Sequence, residues 1–364
     1  MFSLYFKNID WFLFGSMFFL IAIGLISLWS LSIENYTLFY KQLIWLALGL
    51  AFFAVISFFD YRIFKNYGGI ILGLYFISVF SLILLNIFGI KTRGVTGWFR
   101  LEGFAIQPVE FVKIILIVLF AKYFSKRHVE IYHIRHIIIS GLYVLLPTAL
   151  VMLQPDLGSA MILIILWITV TLFSGIKTKH LLSLLIIFSF IGVLGWTTLL
   201  KPYQKERITS FINPYADPSG SGYNIIQSLI AVGSGGVWGK GIGQGPQSHL
   251  LFLPEAETDF IFAAFAEEWG FMGNLFLLSC FLIFLLRILK IGKEAENNFA
   301  KIFALGFATL VFSQLLIHIG VNTGLLPITG ITLPFVSYGG SSLITLMAGA
   351  GMVQGIKFHS RKEV

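Results

Sequence analysis

The chain has 364 residues, of which 57% are hydrophobic and 12% are charged. Soluble domains carry about 25% charged residues, so this composition excludes that class and indicates a polytopic membrane protein. The formal net charge of +8 fits attraction to anionic lipid better than nucleic-acid binding, because the basic residues gather on one predicted side of the membrane. The single cysteine, Cys280, excludes an internal disulfide and a thiolate metal cage.

Ten apolar segments approach the length of about 20 residues that a helix needs to cross a bilayer. They cover residues 11–32, 41–59, 68–88, 106–124, 137–152, 158–174, 180–200, 263–287, 300–322 and 336–356. The first is expected to be a retained helix, because no small-residue cleavage site follows it. We therefore predict an all-α fold, a bundle of about ten transmembrane helices that forms one domain over residues 1–364.

The orientation of this bundle follows from its basic residues. An even number of spans puts both termini on one side, and the side richer in lysine and arginine is predicted to be cytoplasmic. The residues that define that side include Arg62, Lys65, Lys122, Lys126, Arg287 and Lys357. We expect a multi-pass protein of the cell membrane whose functional site faces the extracytoplasmic side.

The predicted extracytoplasmic side carries a long polar loop at about 201–258, between the seventh and eighth spans. Usual connections have about four to six residues, so a loop of this length is rarely a mere connector. Within it, Ile225, Ile226, Leu229 and Ile230 recur at helical spacing. They predict either a short helix lying on the membrane interface or a small packed cap.

Charged residues in or beside the spans are costly to bury, so each is a candidate for function or for pairing. Glu110 and Lys113 lie three residues apart on one helix face and can pair with each other. Asp156 either caps the following helix or faces Lys113. We favour a structural Lys113–Asp156 ion pair that fixes one wall of a cavity.

Basic residues on the extracytoplasmic side run against the orientation rule and are therefore candidates for binding an anionic substrate. Arg207 and Lys240 lie in the long loop, and Arg100 lies with Trp98 in the other extracytoplasmic loop, near 91–105. Guanidinium groups bind phosphate oxygens through two parallel hydrogen bonds. The alternative for each residue is a solvated loop surface.

The glycine-rich run 239–245 does not match a nucleotide-binding loop, because Ser234 and Gly241 occupy positions where a Walker motif needs glycine and serine or threonine. Its glycines are expected to permit tight backbone turns beside a ligand.

A group of carboxylates, Glu255, Glu257 and Asp259, closes the long loop, and Glu267 and Glu268 follow in an apolar stretch. A carboxylate at an apolar boundary has a raised proton affinity and can act as a general base near neutral pH. The alternative makes Thr258 or Asp259 the cap of the next helix. His249 and His318 stand apart from any metal-ligand spacing and are expected to be satisfied polar residues.

The run PITGITLPFVSYGGSS at 327–342 resembles the signature of the SEDS family, the family of RodA, FtsW and SpoVE. The resemblance extends to QPDLG at 154–158, to GSGG at 233–236, to GKG at 239–241 and to the segment that ends at Thr258–Phe262. It therefore involves nearly the whole chain. The QPDL, GSGG and GKG segments are more similar to the rod-shape branch, RodA, than to the division branch.

The resemblance implies a peptidoglycan glycosyltransferase that polymerises lipid II on the outer face of the cytoplasmic membrane during cell elongation. It implies as partners lipid II, the undecaprenyl-pyrophosphate-linked glycan, a class B penicillin-binding transpeptidase and other elongation-complex membrane proteins. A lipid II flippase or a scaffold for the transpeptidase are the alternatives.

By the same resemblance, Asp259 matches the essential aspartate and would deprotonate the acceptor 4-hydroxyl while undecaprenyl pyrophosphate leaves with inversion. Cations or a divalent ion such as Mg²⁺ would neutralise the leaving group. The expected substrate-binding residues are Arg207, Lys240, Arg100, Trp98, Glu110, Lys113, Ser337, Gly339 and Gly340.

Three positions depart from the family pattern: Val109 replaces a usual serine, Gly97 a common arginine and Glu257 a frequent histidine. Arg100, two residues beyond Trp98, is a candidate replacement for the missing guanidinium, and Glu257 would add negative charge beside the proposed base.

Overall fold

The computed structural model describes residues 9–32, 35–92, 95–101, 104–126, 134–175, 179–180, 183, 197–198, 205, 209–220 and 222–360. The predicted span at 180–200 lies almost wholly outside the described residues, and Arg207 lies outside them as well.

The described chain is dominated by helices, as predicted. In chain order they are α1 Trp11–Leu31, α2 Thr37–Phe58, α3 Arg62–Asn66, α4 Gly68–Phe88, α5 Pro108–Ser125, α6 Ile134–Leu153, α7 Leu157–Phe173, α8 Tyr223–Ser234, α9 Pro246–His249, α10 Ile261–Glu294, α11 Asn298–Asn322 and α12 Gly340–Ser360. Among the described helices, six (α1, α2, α4, α6, α10 and α11) are long and apolar enough to cross a membrane. The fold is that of an all-α, polytopic membrane protein.

Small residues let the central helices approach closely. A Cβ on Gly49 of α2 would lie 2.5 Å from the Met347 sulfur of α12, and a Cβ on Gly351 would lie 2.7 Å from the Phe53 carbonyl oxygen. Helices in a membrane associate through such close van der Waals contact, since lipid tails are as apolar as the side chains. The α2–α12 pair therefore forms a tightly packed wall beside the cavity described below.

The predicted loop near 91–105 contains a small antiparallel sheet, which the sequence reasoning did not anticipate. Its strands are β1 Ile90–Thr92, β2 Val95–Leu101 and β3 Phe104–Ile106, in the order β1–β2–β3. Backbone groups in an apolar environment must find partners, and pairing strands satisfies them without a helix. The Thr96 N–H also donates to the Gln154 carbonyl at 3.3 Å, which attaches the sheet to the turn between α6 and α7.

Helix α10 contains a backbone break at Gly270, whose φ of 64° and ψ of −163° are not helical. The N–H groups of Phe271 and Met272 donate instead to the carbonyl oxygens of Gly236 and Val237, at 2.9 and 3.1 Å. The long loop thus supplies acceptors that the helix itself does not provide at this point.

The same loop also supplies donors to α10. The N–H groups of Lys240 and Gly241 donate to the carbonyl oxygens of Glu267 and Glu268, at 2.9 and 3.0 Å. Gly239 and Gly241 have φ of +82° and +101°, which favour glycine. The glycine-rich run therefore forms backbone hydrogen bonds with α10 at the break. The positive φ angles that this path requires are the physical reason for its glycines.

An ion-pair cluster joins three helices at one end of the bundle, which we call the basic end. Asp10 caps α1 by accepting from the Leu13 N–H at 3.0 Å. Its carboxylate also accepts from Arg287 of α10 (Nε, 3.1 Å) and from Lys357 of α12 (Nζ, 2.7 Å). Burial acts to raise the pKa of Asp10, but these cations outweigh it and lower that pKa to about 2. Because α1 begins where α12 ends, both ends of the described chain lie at this end.

We expect Asp10→Asn to lower the free energy of unfolding by about 2 kcal/mol, since Arg287 and Lys357 lose their counter-charge while the cap is kept. Thermal unfolding of the purified protein in detergent would measure the loss. The folded pKa of about 2 lies below the ordinary value of 3.8. The stabilisation should therefore be full above about pH 4 and disappear as the pH falls towards 2.

Glu294→Gln is the matched control for this variant. Glu294 lies 3.9 Å from Lys290 at the same end, and both side chains are exposed. Its removal should change the free energy of unfolding by less than about 0.5 kcal/mol. Equal effects of the two substitutions would contradict the role assigned to the Asp10 cluster.

Candidate active site

A cavity of about 320 Å³ opens at the end of the bundle opposite to the basic end, where α10 begins. Two segments far apart in the sequence meet there. One is the end of the long loop, which leads into Asp259, and the other is the signature segment between α11 and α12. The lining residues are Trp45, Val95, Trp98, Ala105, Gln107, Asp156, Glu255, Thr258, Asp259, Ile328, Thr329, Gly330, Thr332, Tyr338, Gly339, Gly340, Ser341 and Ser342.

Hydrogen bonds to backbone carbonyl groups hold the signature segment against the end of the long loop. The Ser337 hydroxyl donates to the Thr258 carbonyl at 2.8 Å and accepts from the Leu333 N–H at 2.9 Å. The Tyr338 N–H donates to the Glu257 carbonyl at 2.9 Å. Ser337 is buried and does not line the cavity, and its hydroxyl fixes the wall; its expected role in binding substrate stays a prediction.

Gly339 and Gly340 do line the cavity, and the second of them has a steric reason to be glycine. A Cβ on Gly340 would lie 2.1 Å from the Trp45 ring. The start of α12 therefore packs directly on that indole, which in turn meets Phe104 edge to face with ring centroids 5.2 Å apart. The Gln107 N–H donates to the Ser341 hydroxyl at 2.9 Å and closes this side of the cavity.

Asp259 directly precedes the N-cap residue of α10, and a buried amide from α11 holds its backbone. Asn322 Nδ2 donates to the Asp259 carbonyl at 2.9 Å and to the His318 carbonyl at 2.8 Å. Asn322 Oδ1 accepts from the Ala263 N–H at 3.0 Å. One side chain thus joins the start of α10 to the end of α11 beside the candidate base.

The alternative in which Thr258 or Asp259 caps α10 is not what the structure shows. The N-cap position is Phe260, and Asn322 takes over the capping of the first turn. Asn322 is fully buried, and its own carbonyl accepts from the Ser228 hydroxyl of α8 at 2.8 Å. The sequence reasoning missed this residue; an amide within an apolar run, directly before the signature, was the signal available.

The expected Lys113–Asp156 ion pair is wrong as a direct contact. Lys113 Nζ lies 2.6 Å from Glu110 Oε1, one helical turn away on α5, and both side chains are buried. The Asp156 carboxylate caps α7 by accepting from the Ser159 N–H at 2.9 Å. The i,i+3 spacing within one helix gives Lys113 a partner that does not depend on how two helices meet.

Asp156 lines the cavity, whereas Glu110 and Lys113 lie behind its wall. Burial raises the pKa of Asp156, the hydrogen bonds from Ser159 and the charge of Lys113 oppose that rise, and the charge of Glu110 adds to it. Lys113 and Glu110 can therefore act on a ligand in the cavity only through their charges.

Of the other predicted substrate-binding residues, Trp98 of β2 lines the cavity. Arg100 lies on the same strand opposite Ala105, but its side chain is exposed and does not line the cavity. Lys240 is exposed in the segment bonded to α10 and is likewise not part of the lining. The structure thus brings neither cation to the cavity.

The two acids inside α10 hold the long loop. Glu267 accepts from the N–H groups of Gln247 and Ser248, at 2.9 and 3.1 Å. Glu268 accepts from the Ser30 hydroxyl at 2.5 Å and lies 2.8 Å from His249 Nε2. Buried carboxylates need such donors, and here the donors come from the loop and from α1.

Each isolated histidine has a polar partner, but His318 is not fully satisfied, because its buried Nε2 has no hydrogen-bond partner among the described residues. His249 lies against Glu268, and His318 Nδ1 lies 2.7 Å from the Ile331 carbonyl in the signature segment. Within the described part of the chain, no three His, Cys, Asp or Glu side chains come together as a metal cage.

The chain is similar to known proteins over nearly its whole length. It is 35% identical over 343 residues to the peptidoglycan glycosyltransferase MrdB of Escherichia coli (strain K12), covering 94% of this chain and 91% of MrdB. It is also 35% identical over 356 residues to the stage V sporulation protein E of Bacillus subtilis (strain 168), covering 94% and 95%. Because the identity to these two relatives is equal, the assignment of this chain to one branch of the family stays a prediction.

Solved structures show the same fold. A chain of a peptidoglycan synthase complex that coordinates polymerization and crosslinking is 30% identical, with a TM-score of 0.82 over 98% of this chain and 99% of that one. The rod shape determining protein RodA of Thermus thermophilus is 27% identical, with a TM-score of 0.73 over 98% of each chain. The family model FTSW_RODA_SPOVE, described as a cell cycle protein, matches residues 10–362. The chain belongs to the FtsW, RodA and SpoVE family.

Proposed function

We propose that this protein is a peptidoglycan glycosyltransferase that polymerises lipid II into glycan strands during cell elongation. The observation that carries the proposal is the cavity in which Asp259 and the signature residues Gly339 and Gly340 meet. The names of its relatives support it: MrdB of E. coli and RodA of Treponema pallidum are both called peptidoglycan glycosyltransferases.

The basic end of the bundle is proposed to face the cytoplasm and the cavity to face the outside of the cell membrane. The clustering of Arg62, Lys65, Lys122 and Lys126 near the basic end supports this orientation, because short cytoplasmic connections are enriched in lysine and arginine. Both termini would then be cytoplasmic, and a lipid-linked substrate would place its sugars in the cavity from the outer leaflet.

In the proposed reaction, the Asp259 carboxylate takes the proton from the acceptor 4-hydroxyl. That oxygen forms a bond to the donor anomeric carbon, while the bond from this carbon to the undecaprenyl diphosphate breaks with inversion. A single base suffices, because the diphosphate leaves without a proton when cations neutralise it. Glu110, 2.6 Å away, offsets the charge of Lys113, so Arg207, which lies outside the described residues, and a divalent cation are the better candidates for this role.

A divalent cation such as Mg²⁺ fits the cavity as a partner of the substrate diphosphate. Mg²⁺ is commonly bound through one or two carboxylates together with substrate phosphates, so a cage made only of protein groups is not required. Asp156 and Glu255 line the cavity and are the carboxylates that would hold it. The ion would neutralise the diphosphate.

A class B penicillin-binding transpeptidase and other membrane proteins of the elongation complex are proposed as partners. The similar chain from a synthase complex that coordinates polymerization and crosslinking supports an assembly of this kind.

Asp259→Asn is expected to lower the rate of glycan polymerisation by at least about a thousandfold, because the amide keeps the shape of the side chain but cannot accept the proton. The rate would be measured as elongation of fluorescent lipid II by the purified protein with its transpeptidase. Asp217→Asn, an exposed acid of the long loop, is the matched control and should keep the normal rate.

Normal polymerisation by Asp259→Asn would exclude the proposed base. The flippase and scaffold alternatives predict that this variant still moves lipid II or still supports the transpeptidase.

Asn322→Asp is expected to reduce kcat by roughly tenfold to a hundredfold with little change in KM, because a small displacement of a catalytic group has effects of this size. The carboxylate can still accept from Ala263 but cannot donate to Asp259 and His318. Initial rates at varied lipid II concentration would separate kcat from KM.

Thr323→Val is the control for Asn322, since its hydroxyl bonds mainly within its own helix, to the Ile319 carbonyl at 2.8 Å. An Asn322→Asp variant with normal kcat, or with a loss fully explained by a lower unfolding temperature, would refute the positioning role.

Removal of divalent cations with EDTA is expected to stop polymerisation, and added Mg²⁺ should restore it. Asp156→Asn keeps the helix cap but removes a charge, so it should raise the Mg²⁺ concentration for half-maximal rate several-fold. Full activity in EDTA, or an unchanged Mg²⁺ requirement in Asp156→Asn, would contradict the respective part of this proposal.

A further inference from the structure

A second polar cavity, of about 460 Å³, lies at the basic end, far from the cavity that contains Asp259. It is bounded by the end of α3, the end of α5 and the start of α11. Its lining residues are Lys65, Asn66, Ser125, Lys126, Glu296, Asn297, Asn298 and Phe299. None of these residues takes part in the reaction described above.

Positive charge dominates this cavity. Lys65 and Lys126 line it, and the Lys122 ammonium donates to the Lys65 carbonyl, so a third cation lies beside them. Glu296 is the one carboxylate among the described lining residues, and Arg62 lies 3.8 Å from it. Like charges brought together in this way repel each other, and a bound anion would relieve the repulsion.

The wall on the α11 side is rigid and favours an anion. Asn297 caps α11 through the Ala300 N–H at 3.0 Å, and its Nδ2 donates to the Tyr61 hydroxyl at 2.7 Å. Phe299 stacks on the Tyr61 ring with centroids 6.2 Å apart. The positive end of the α11 dipole therefore faces the cavity from a fixed position.

The residues beside the cavity are those expected at the level of lipid headgroups. Tyr67 follows directly after Lys65 and Asn66 and is 63% exposed, as expected of an aromatic side chain in the interface layer. Membrane helix α4 begins at the next residue, Gly68, where a Cβ would lie 3.8 Å from the Lys122 side chain. An anion that reaches this cavity is thus held beside the ends of two membrane helices.

We propose that this cavity binds the phosphate of an anionic phospholipid in the leaflet at the basic end. The ammonium groups of Lys65 and Lys126 contact the phosphate oxygens, and Lys122 adds its charge from the α5–α3 contact. The lipid is preferred over a soluble phosphate because the site opens in the headgroup layer, where anionic lipid is concentrated. This site is independent of glycosyl transfer.

The test is lipid binding to the full chain in detergent, measured by native mass spectrometry during titration with dioleoylphosphatidylglycerol. The double variant Lys65→Gln/Lys126→Gln should bind this lipid roughly thirtyfold more weakly, because each lysine near a headgroup contributes a several-fold gain in affinity. Binding of zwitterionic dioleoylphosphatidylcholine should not change. Glu296→Gln should bind phosphatidylglycerol more tightly, since it removes the carboxylate from the rim.

Lys290→Gln/Lys293→Gln is the matched control, because it removes the same charge from exposed positions of α10 near the basic end. It should leave phosphatidylglycerol binding within about twofold. An equal loss in both double variants, at unchanged unfolding temperature, would overturn the site in favour of general surface charge. Competition by inorganic phosphate at the same concentration as the lipid would overturn the assignment to a lipid.

Discussion

The amide of Asn322 is the contact on which the active-site geometry depends. It satisfies a carbonyl at the close of the long loop, a carbonyl in its own helix and an N–H in the first turn of α10. The bonds to Ala263 and His318 are buried and the one to Asp259 is partly buried, and a buried backbone group without a partner is costly. Meeting all three requirements with one side chain leaves the backbone at Asp259 little freedom. The proposed base is therefore positioned by packing between helices rather than by its own loop.

The long loop is held to the bundle by the same requirement for satisfied polar groups. The break of α10 at Gly270 leaves backbone N–H and carbonyl groups without partners inside the helix. Residues 236–241 of the loop form hydrogen bonds with these groups. Glu267 and Glu268 then fix the following segment through its backbone and hydroxyl groups. Residues 236–249 of the loop thereby become part of the helical bundle. The signature segment can pack against it as a rigid surface and form the cavity.

The two ends of the bundle use charge differently. At the basic end, Asp10 pairs with Arg287 and Lys357, whereas Glu296 is the one carboxylate among the described residues that line the cavity with Lys65 and Lys126. At the opposite end, the described lining of the cavity contains the carboxylates Asp156, Glu255 and Asp259 and none of the expected lysines or arginines. A diphosphate bound there would need positive charge from a metal ion, from Arg207 or from a partner protein. This charge balance is the chemical reason for proposing a divalent cation.

Composition, apolar segments and the signature at 327–342 were enough to predict the membrane class, most helices, the family and Asp259 as the candidate base. These features are local: hydrophobic runs set helices, and a motif specifies a backbone conformation. The sheet at 90–106, the role of Ser337 and the contacts of Asn322 were decided by the tertiary structure. Spacing along a helix shows which residues share a face, but not which neighbouring element that face meets. That depends on how the helices rotate and approach as they pack.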